Sequence, residues 1–102
     1  MFKVVTTFER PNPETGYFIE TQPELRSEFQ QFVNDAPDLL LINSVNVTST
    51  KQVSEAFYVD QAGFNSFITK FNERFPTFFA DRDAYHNSVG VITTRSEETV
   101  EV

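Results

Sequence analysis

Between Asp60 and Pro76 the chain carries aromatic side chains at a spacing that only a helix can use. Phe64, Phe67, Ile68, Phe71 and Phe75 fall at i, i+3, i+4, i+7 and i+11. That repeat gathers apolar groups on one face of an α-helix. Asn65, Ser66, Thr69, Lys70, Asn72 and Glu73 take the other face. Asp60 is a good N-cap, because its carboxylate accepts a hydrogen bond from a free N–H of the first turn. Pro76 cannot continue the helix, which ends at or just before Phe75. Gly63 in the first turn costs about 1 kcal/mol of helix propensity, and predicts a close backbone approach. A stripe of rings this wide has to be seated on an apolar surface. The residues just before it supply one, since 52–59 alternate Val53, Glu55, Phe57 and Val59 against Ser54, Ala56 and Tyr58 with the period of a strand.

Upstream, residues 39–48 (LLLINSVNVT) form another strand, apolar on both faces in its first half as a central strand under helices would be. A short connection at 49–51 makes these two strands an antiparallel hairpin. Phe2 to Glu9 alternates Phe2, Val4, Thr6 and Phe8 against Lys3, Val5, Thr7 and Glu9, which predicts a first strand closed by Pro11 and Pro13. Tyr17-Phe18-Ile19 is an apolar patch in polar surroundings, read as a short extended segment. It either folds back as a plug or lines a ligand pocket. Residues 23–34 form a helix with Pro23 in the first turn, Thr21 or Gln22 near the cap, and Leu25, Phe29, Phe32 and Val33 on one face. Residues 77–87 are less regular, with one or two helical turns expected. Residues 89–95 form a last strand, and 96–102 either fray or extend it.

The order strand, helix, strand, strand, helix, strand is the split βαβ or ferredoxin-like arrangement. It predicts an α+β fold of one domain over residues 1–102, with a four-stranded antiparallel sheet and both helices on one face. The other sheet face is then half apolar and calls for a cover.

Composition narrows the function classes. With 102 residues the chain is long enough for one core without staples. Its twelve phenylalanines are the main core formers, and there are no cysteines. Disulfides, thiolate metal sites and cysteine nucleophiles are therefore excluded, and the cytoplasm is the expected setting. No apolar run near the N-terminus reads as a signal peptide or membrane span. The net charge is −7 with the eight basic residues scattered. Nucleic-acid and anionic-membrane partners are accordingly not expected.

The hairpin strand ending Phe57-Tyr58-Val59-Asp60, running into a helix with Phe64 and Phe67, resembles the dimeric α+β barrel superfamily. Its antibiotic-biosynthesis-monooxygenase-like, EthD-like and stress-responsive members share this order of elements. The resemblance covers nearly the whole chain. It implies two ferredoxin-like subunits packed sheet to sheet, with a small-molecule pocket between helices and sheet. Monooxygenase-like and haem-degrading members commonly carry an aromatic residue on the third strand, an Asn on the first and a His near the second helix. Here those places hold Phe57 and Tyr58, Thr6 and Thr7, and His86 beyond the second helix.

Among individual residues, His86 is the only histidine and the one candidate general base or haem ligand. Read structurally, it is a surface or capping residue. Tyr58 and Tyr85 carry hydroxyls that orient a substrate or satisfy a bond at the core edge. Arg95 is suited to a carboxylate, or else to an exposed ion pair. Asn43 shares a register with Leu39, Leu41 and Val45, which predicts a buried, hydrogen-bonded amide at a pocket or across a sheet interface. Asp81 and Asp83 are two carboxylates without a third ligand, so no metal site is expected, and no cofactor is. Three functions remain: a small dimeric protein binding a small apolar or aromatic molecule, a cofactor-independent enzyme (monooxygenase- or isomerase-like) with His86 as base, and an interaction module without a pocket.

Overall fold

The computed structural model describes residues 1–101. Its elements are β1 (Phe2–Glu9), a 3₁₀ turn (Phe18–Thr21), α1 (Pro23–Asp35), β2 (Leu39–Thr48), β3 (Lys51–Tyr58), α2 (Gln61–Arg74), α3 (Phe78–Val89) and β4 (Ile92–Thr99). The four strands form one antiparallel sheet in the order β2-β3-β1-β4. Strand alternation sorts the sheet into two faces. Phe2, Val4, Ala56 and Tyr58 point inward and are buried with rings of the helices in one core. Lys3, Val5, Glu55 and Phe57 point outward, in register with one another across β1 and β3.

The helices all cover the inner face, so the expected α+β ferredoxin-like arrangement holds with one addition. The segment expected to be irregular is a helix of twelve residues, α3. Its Phe78 inserts among the core rings, and tertiary packing of this kind outweighs a weak local periodicity. The helix ends at Gly90, whose φ of 82° is the left-handed C-terminal conformation that glycine adopts without strain. Val89, expected at the start of the last strand, therefore belongs to α3, and β4 begins at Ile92. The strand runs through Ser96 to Thr99, and the ladder is continued by Val100, whose N–H donates to the Met1 carbonyl at 2.8 Å. Val102, part of the expected extension, lies outside the described residues.

The α2 start confirms both of its sequence signals. The Asp60 carboxylate accepts from the Gly63 N–H at 2.7 Å. A Cβ on Gly63 would lie 3.4 Å from Asp38 Cβ, which is the close approach that glycine permits. Phe71, at the middle of the stripe, is 1% exposed and is the hub of the core.

Two expectations about β2 fail. It is an edge strand, not a central one. Its apolar outward residues are open, with Leu41 57% and Val45 49% exposed. A bulge between Leu39 and Leu41 turns Leu40 out of the ladder as well.

Candidate functional site

A cavity of about 210 Å³ lies between the inner sheet face and the helices. Phe29 of α1, Phe71 of α2 and Phe78 and Phe79 of α3 line its helical side. The sheet side is different in kind. Ser44 on β2, Ser54 on β3 and Thr6 on β1 are directly paired across the strands, and Thr6 is paired in turn with Arg95 on β4. All four side chains line the cavity. They form one transverse polar row across a floor whose other residues are mostly apolar, with Gln52 and Tyr58 the further polar side chains on it. Among the described residues, the three hydroxyls make no hydrogen bond to protein, and no entombed side-chain polar atom lacks a partner. The hydroxyls therefore stay open to whatever fills the space.

On one flank of the row stands an aromatic block. Tyr58 packs against Phe64 with ring centroids 5.0 Å apart and against Phe67 at 5.3 Å. The Arg95 guanidinium lies 5.3 Å from the Phe64 ring centroid and pairs with Glu97. Burial pushes the Tyr58 phenol up to about 12, with Arg95 opposing the shift, so the group is neutral at ordinary pH.

The other flank is a clasp around His86. The ring is 2% exposed. The Phe18 backbone N–H donates to Nε2 at 3.0 Å. Nε2 is therefore the unprotonated nitrogen, and Nδ1 carries the proton toward Thr93 Oγ1 at 3.1 Å. Phe8 meets the imidazole edge-on at 5.3 Å and Tyr17 at 6.4 Å. Burial first, and the neighbouring Arg82 cation second, hold the imidazole below its ordinary pKa, against a smaller opposite pull from Asp83. This neutral histidine ties the 3₁₀ turn to α3 and β4. The Tyr17 side of the turn is tied to the β2–β3 connection, its hydroxyl donating to the Thr50 carbonyl at 3.2 Å.

The sequence candidates thus separate. Tyr58, Arg95 and His86 line the same cavity. Tyr85 does not: its hydroxyl donates to the Gly16 carbonyl at 2.9 Å and braces the loop before the turn. Asn43 stands opposite Glu55 on the outer face and is exposed in the single subunit, so of its two expected placements the pocket is excluded and the sheet interface is left. The shared register with Leu41 and Val45 was correct, but that register faces outward. His86 is neither a surface residue nor a helix-end cap, because it bonds a backbone N–H from 68 positions away. Tyr17 and Phe18 are buried, the folded-back plug, and they also line the cavity. The hydroxyl row was not anticipated. Part of its signal was in the pattern, since Thr6 interrupts the inward series Phe2, Val4, Phe8.

The ferredoxin-like fold is one that this chain shares with solved structures of monooxygenases. A variant of SnoaB, a cofactor-independent oxygenase from Streptomyces nogalater, superposes with a TM-score of 0.64 at 11% identity over 99% of this chain and 93% of that one. A monooxygenase from the gene ActVA-Orf6 of Streptomyces coelicolor, in complex with Nanaomycin D, superposes with a TM-score of 0.58 at 18% identity over 99% and 89%. At such identities the likeness is one of fold. No family model matches the sequence, and no curated protein matches it either. Among the described residues, no helix is long and apolar enough to cross a membrane.

Proposed function

We propose that the chain binds a small apolar or aromatic molecule in the cavity between sheet and helices. The observation that carries this reading is the cavity itself: a ring-lined space of about 210 Å³ with a few polar groups converging on it. Tyr58 and Arg95 are the ligand-contacting residues in this reading. Titration of the ¹⁵N-labelled protein with 2-naphthol tests it. Amide shifts at Tyr58, Phe71 and Phe78 are expected; no shift at millimolar ligand sinks the proposal.

The reading includes a homodimer formed through the outer sheet face. Leu41, Val45, Val53, Phe57 and Ile92 share that face, and Ile92 is 62% exposed. Lys3 lies 3.5 Å from Glu55 and 3.8 Å from Glu98 among them, giving the face both charge signs. A half-apolar sheet face of this kind suits a second copy, which also shields it from aggregation. Asn43 belongs to that interface. Sedimentation showing only monomer at micromolar concentration removes the dimer from the proposal. The cytoplasmic setting suggested by the cysteine-free composition is part of the same reading.

A second reading is supported by the oxygenases that share the fold, although fold alone does not carry function. In it a phenol, bound as phenolate beside Arg95, reacts with dioxygen. One oxygen atom enters the ring, and the other leaves as water with two hydrogens from the phenol, giving a quinone. His86 serves as base only if the Phe18 N–H first releases Nε2. Oxygen uptake with a bound phenol tests the reaction, and undiminished turnover in His86→Ala removes the base.

A further inference from the structure

We infer that the hydroxyl row selects the ligand's substitution pattern: the cavity takes a flat six-membered ring bearing oxygens on alternate carbons. This rests on the small-molecule reading above and adds what that molecule must look like. Residues directly opposite one another on neighbouring strands have Cβ atoms about 5 Å apart. Ser44, Ser54 and Thr6 occupy such positions on β2, β3 and β1, and Arg95 continues the line on β4. A ligand lying along the row meets a hydroxyl at each strand spacing. Oxygens in a meta relation on an aromatic ring have about that separation. Oxygens on adjacent carbons are too close to reach two strands at once.

The surroundings fit a flat ring. The helical side of the cavity is aromatic, with Phe71 and Phe78 above the floor. Two aromatic flanks, Tyr58 with Phe64 and Tyr17 with His86, also line the cavity. A hydroxyl both donates and accepts, so the row takes a phenol, a phenolate or a ketone oxygen. Arg95 adds a cation at one end, where an ionised oxygen competes with Glu97 for it. At the other end Ser44 is exposed, so the row opens to solvent on the β2 side.

The test compares isomers on the whole protein. Isothermal titration measures 1,3-dihydroxynaphthalene, 2,3-dihydroxynaphthalene and naphthalene against wild type, Thr6→Val and Ser54→Ala. The first two probes are isomers with different oxygen spacing, and the variants control for their other differences. Wild type is expected to prefer the 1,3 isomer about tenfold, the worth of one additional hydrogen bond. Each variant is expected to lose most of that preference. Thr6→Val keeps the shape of the side chain, and thermal unfolding checks that both variants fold. Equal affinity for the two isomers in wild type overturns the selection while leaving the small-molecule reading standing. So does a preference that both folded variants retain. Failure of all three probes to bind overturns the two together.

Discussion

Replacing His86 with alanine tests whether the clasp holds the fold at the cavity's end. The substitution leaves the buried Phe18 N–H without its acceptor, which costs about 1–3 kcal/mol. It also removes edge-on contacts to Phe8 and Tyr17, worth about 0.5–1.5 kcal/mol per ring pair. A loss of about 3 kcal/mol is expected. At a urea slope of about 1.5 kcal/mol per molar, that lowers the unfolding midpoint by about 2 M. A second readout separates the hydrogen bond from simple packing. The folded state holds His86 below its ordinary 6.5, so the unfolded chain binds more protons once pH falls beneath that value. Stability is then complete above pH 6.5 and declines as pH drops toward the lowered folded value, with a slope approaching about 1.4 kcal/mol per pH unit. His86→Gln removes that slope. Arg82 and Asp83 are the charged groups acting on the ring, and Arg82→Gln should raise the folded value, so that the decline begins at the same pH but ends sooner and costs less stability in total. The reasoning is refuted if His86→Ala costs less than about 1 kcal/mol at an unchanged slope in urea, or if wild type and His86→Gln share one pH profile.

Four further substitutions probe the rest of the structure. Phe71→Ala empties a site touching the rings of Phe29, Phe32, Phe67, Phe75, Phe78 and Phe79; a loss of about 3–5 kcal/mol in urea unfolding is expected. Asp60→Ala removes the cap on α2 and should cost about 1 kcal/mol in the same assay, with the Gly63 amide losing hydrogen-exchange protection. Gly90→Ala places a side chain at positive φ, for about 1–2 kcal/mol; since its Cβ would only touch Pro11 Cγ at 3.5 Å, the loss is conformational and the native circular dichroism should persist. Leu41→Lys on the exposed outer face should leave thermal stability of the subunit nearly unchanged while breaking the proposed dimer, which sedimentation would read as monomer.

The helices and strands that bury one clean face were legible from spacing. The α2 stripe, the α1 face and the β1 alternation each match their elements. What failed did so for physical reasons. The α3 segment has rings at its start and polar residues along most of its length, so its helix depends on core contacts that no local repeat reveals. The face of β2 was ambiguous because both of its sides are apolar near Leu40 and Leu41; only the sheet order decides which is covered. That ambiguity is why Asn43 was open to either a pocket or a sheet interface, and its place on the outer face removes the pocket. The cavity residues were partly legible. Tyr58 and Arg95 stood out for their chemistry, a phenol and a guanidinium on expected strands, whereas the row of hydroxyls exists only once three strands are in register. The partner of His86, a backbone N–H, has no side-chain signature at all.

The phenylalanine stripe and the hydroxyl row are connected by volume. Interiors pack densely, and a floor of large residues beneath these rings would close the space. Beneath the centre of the helices the floor instead carries Ser54, Thr6 and Ala56, between the larger Tyr58 and Phe2 at one end and Phe8 at the other. Rings are stiff and cannot reach down to fill a gap as methionine would. A roof of phenylalanine over a floor of small residues therefore leaves a cavity, where aliphatic side chains of the same total size would collapse into it. The composition that looked purely structural, rings without polar atoms, is thus what keeps the space open, while the small polar residues opposite determine what enters. Ser54→Phe should accordingly fill the cavity and abolish naphthalene binding while the fold is retained. A variant that still binds naphthalene would place the pocket elsewhere.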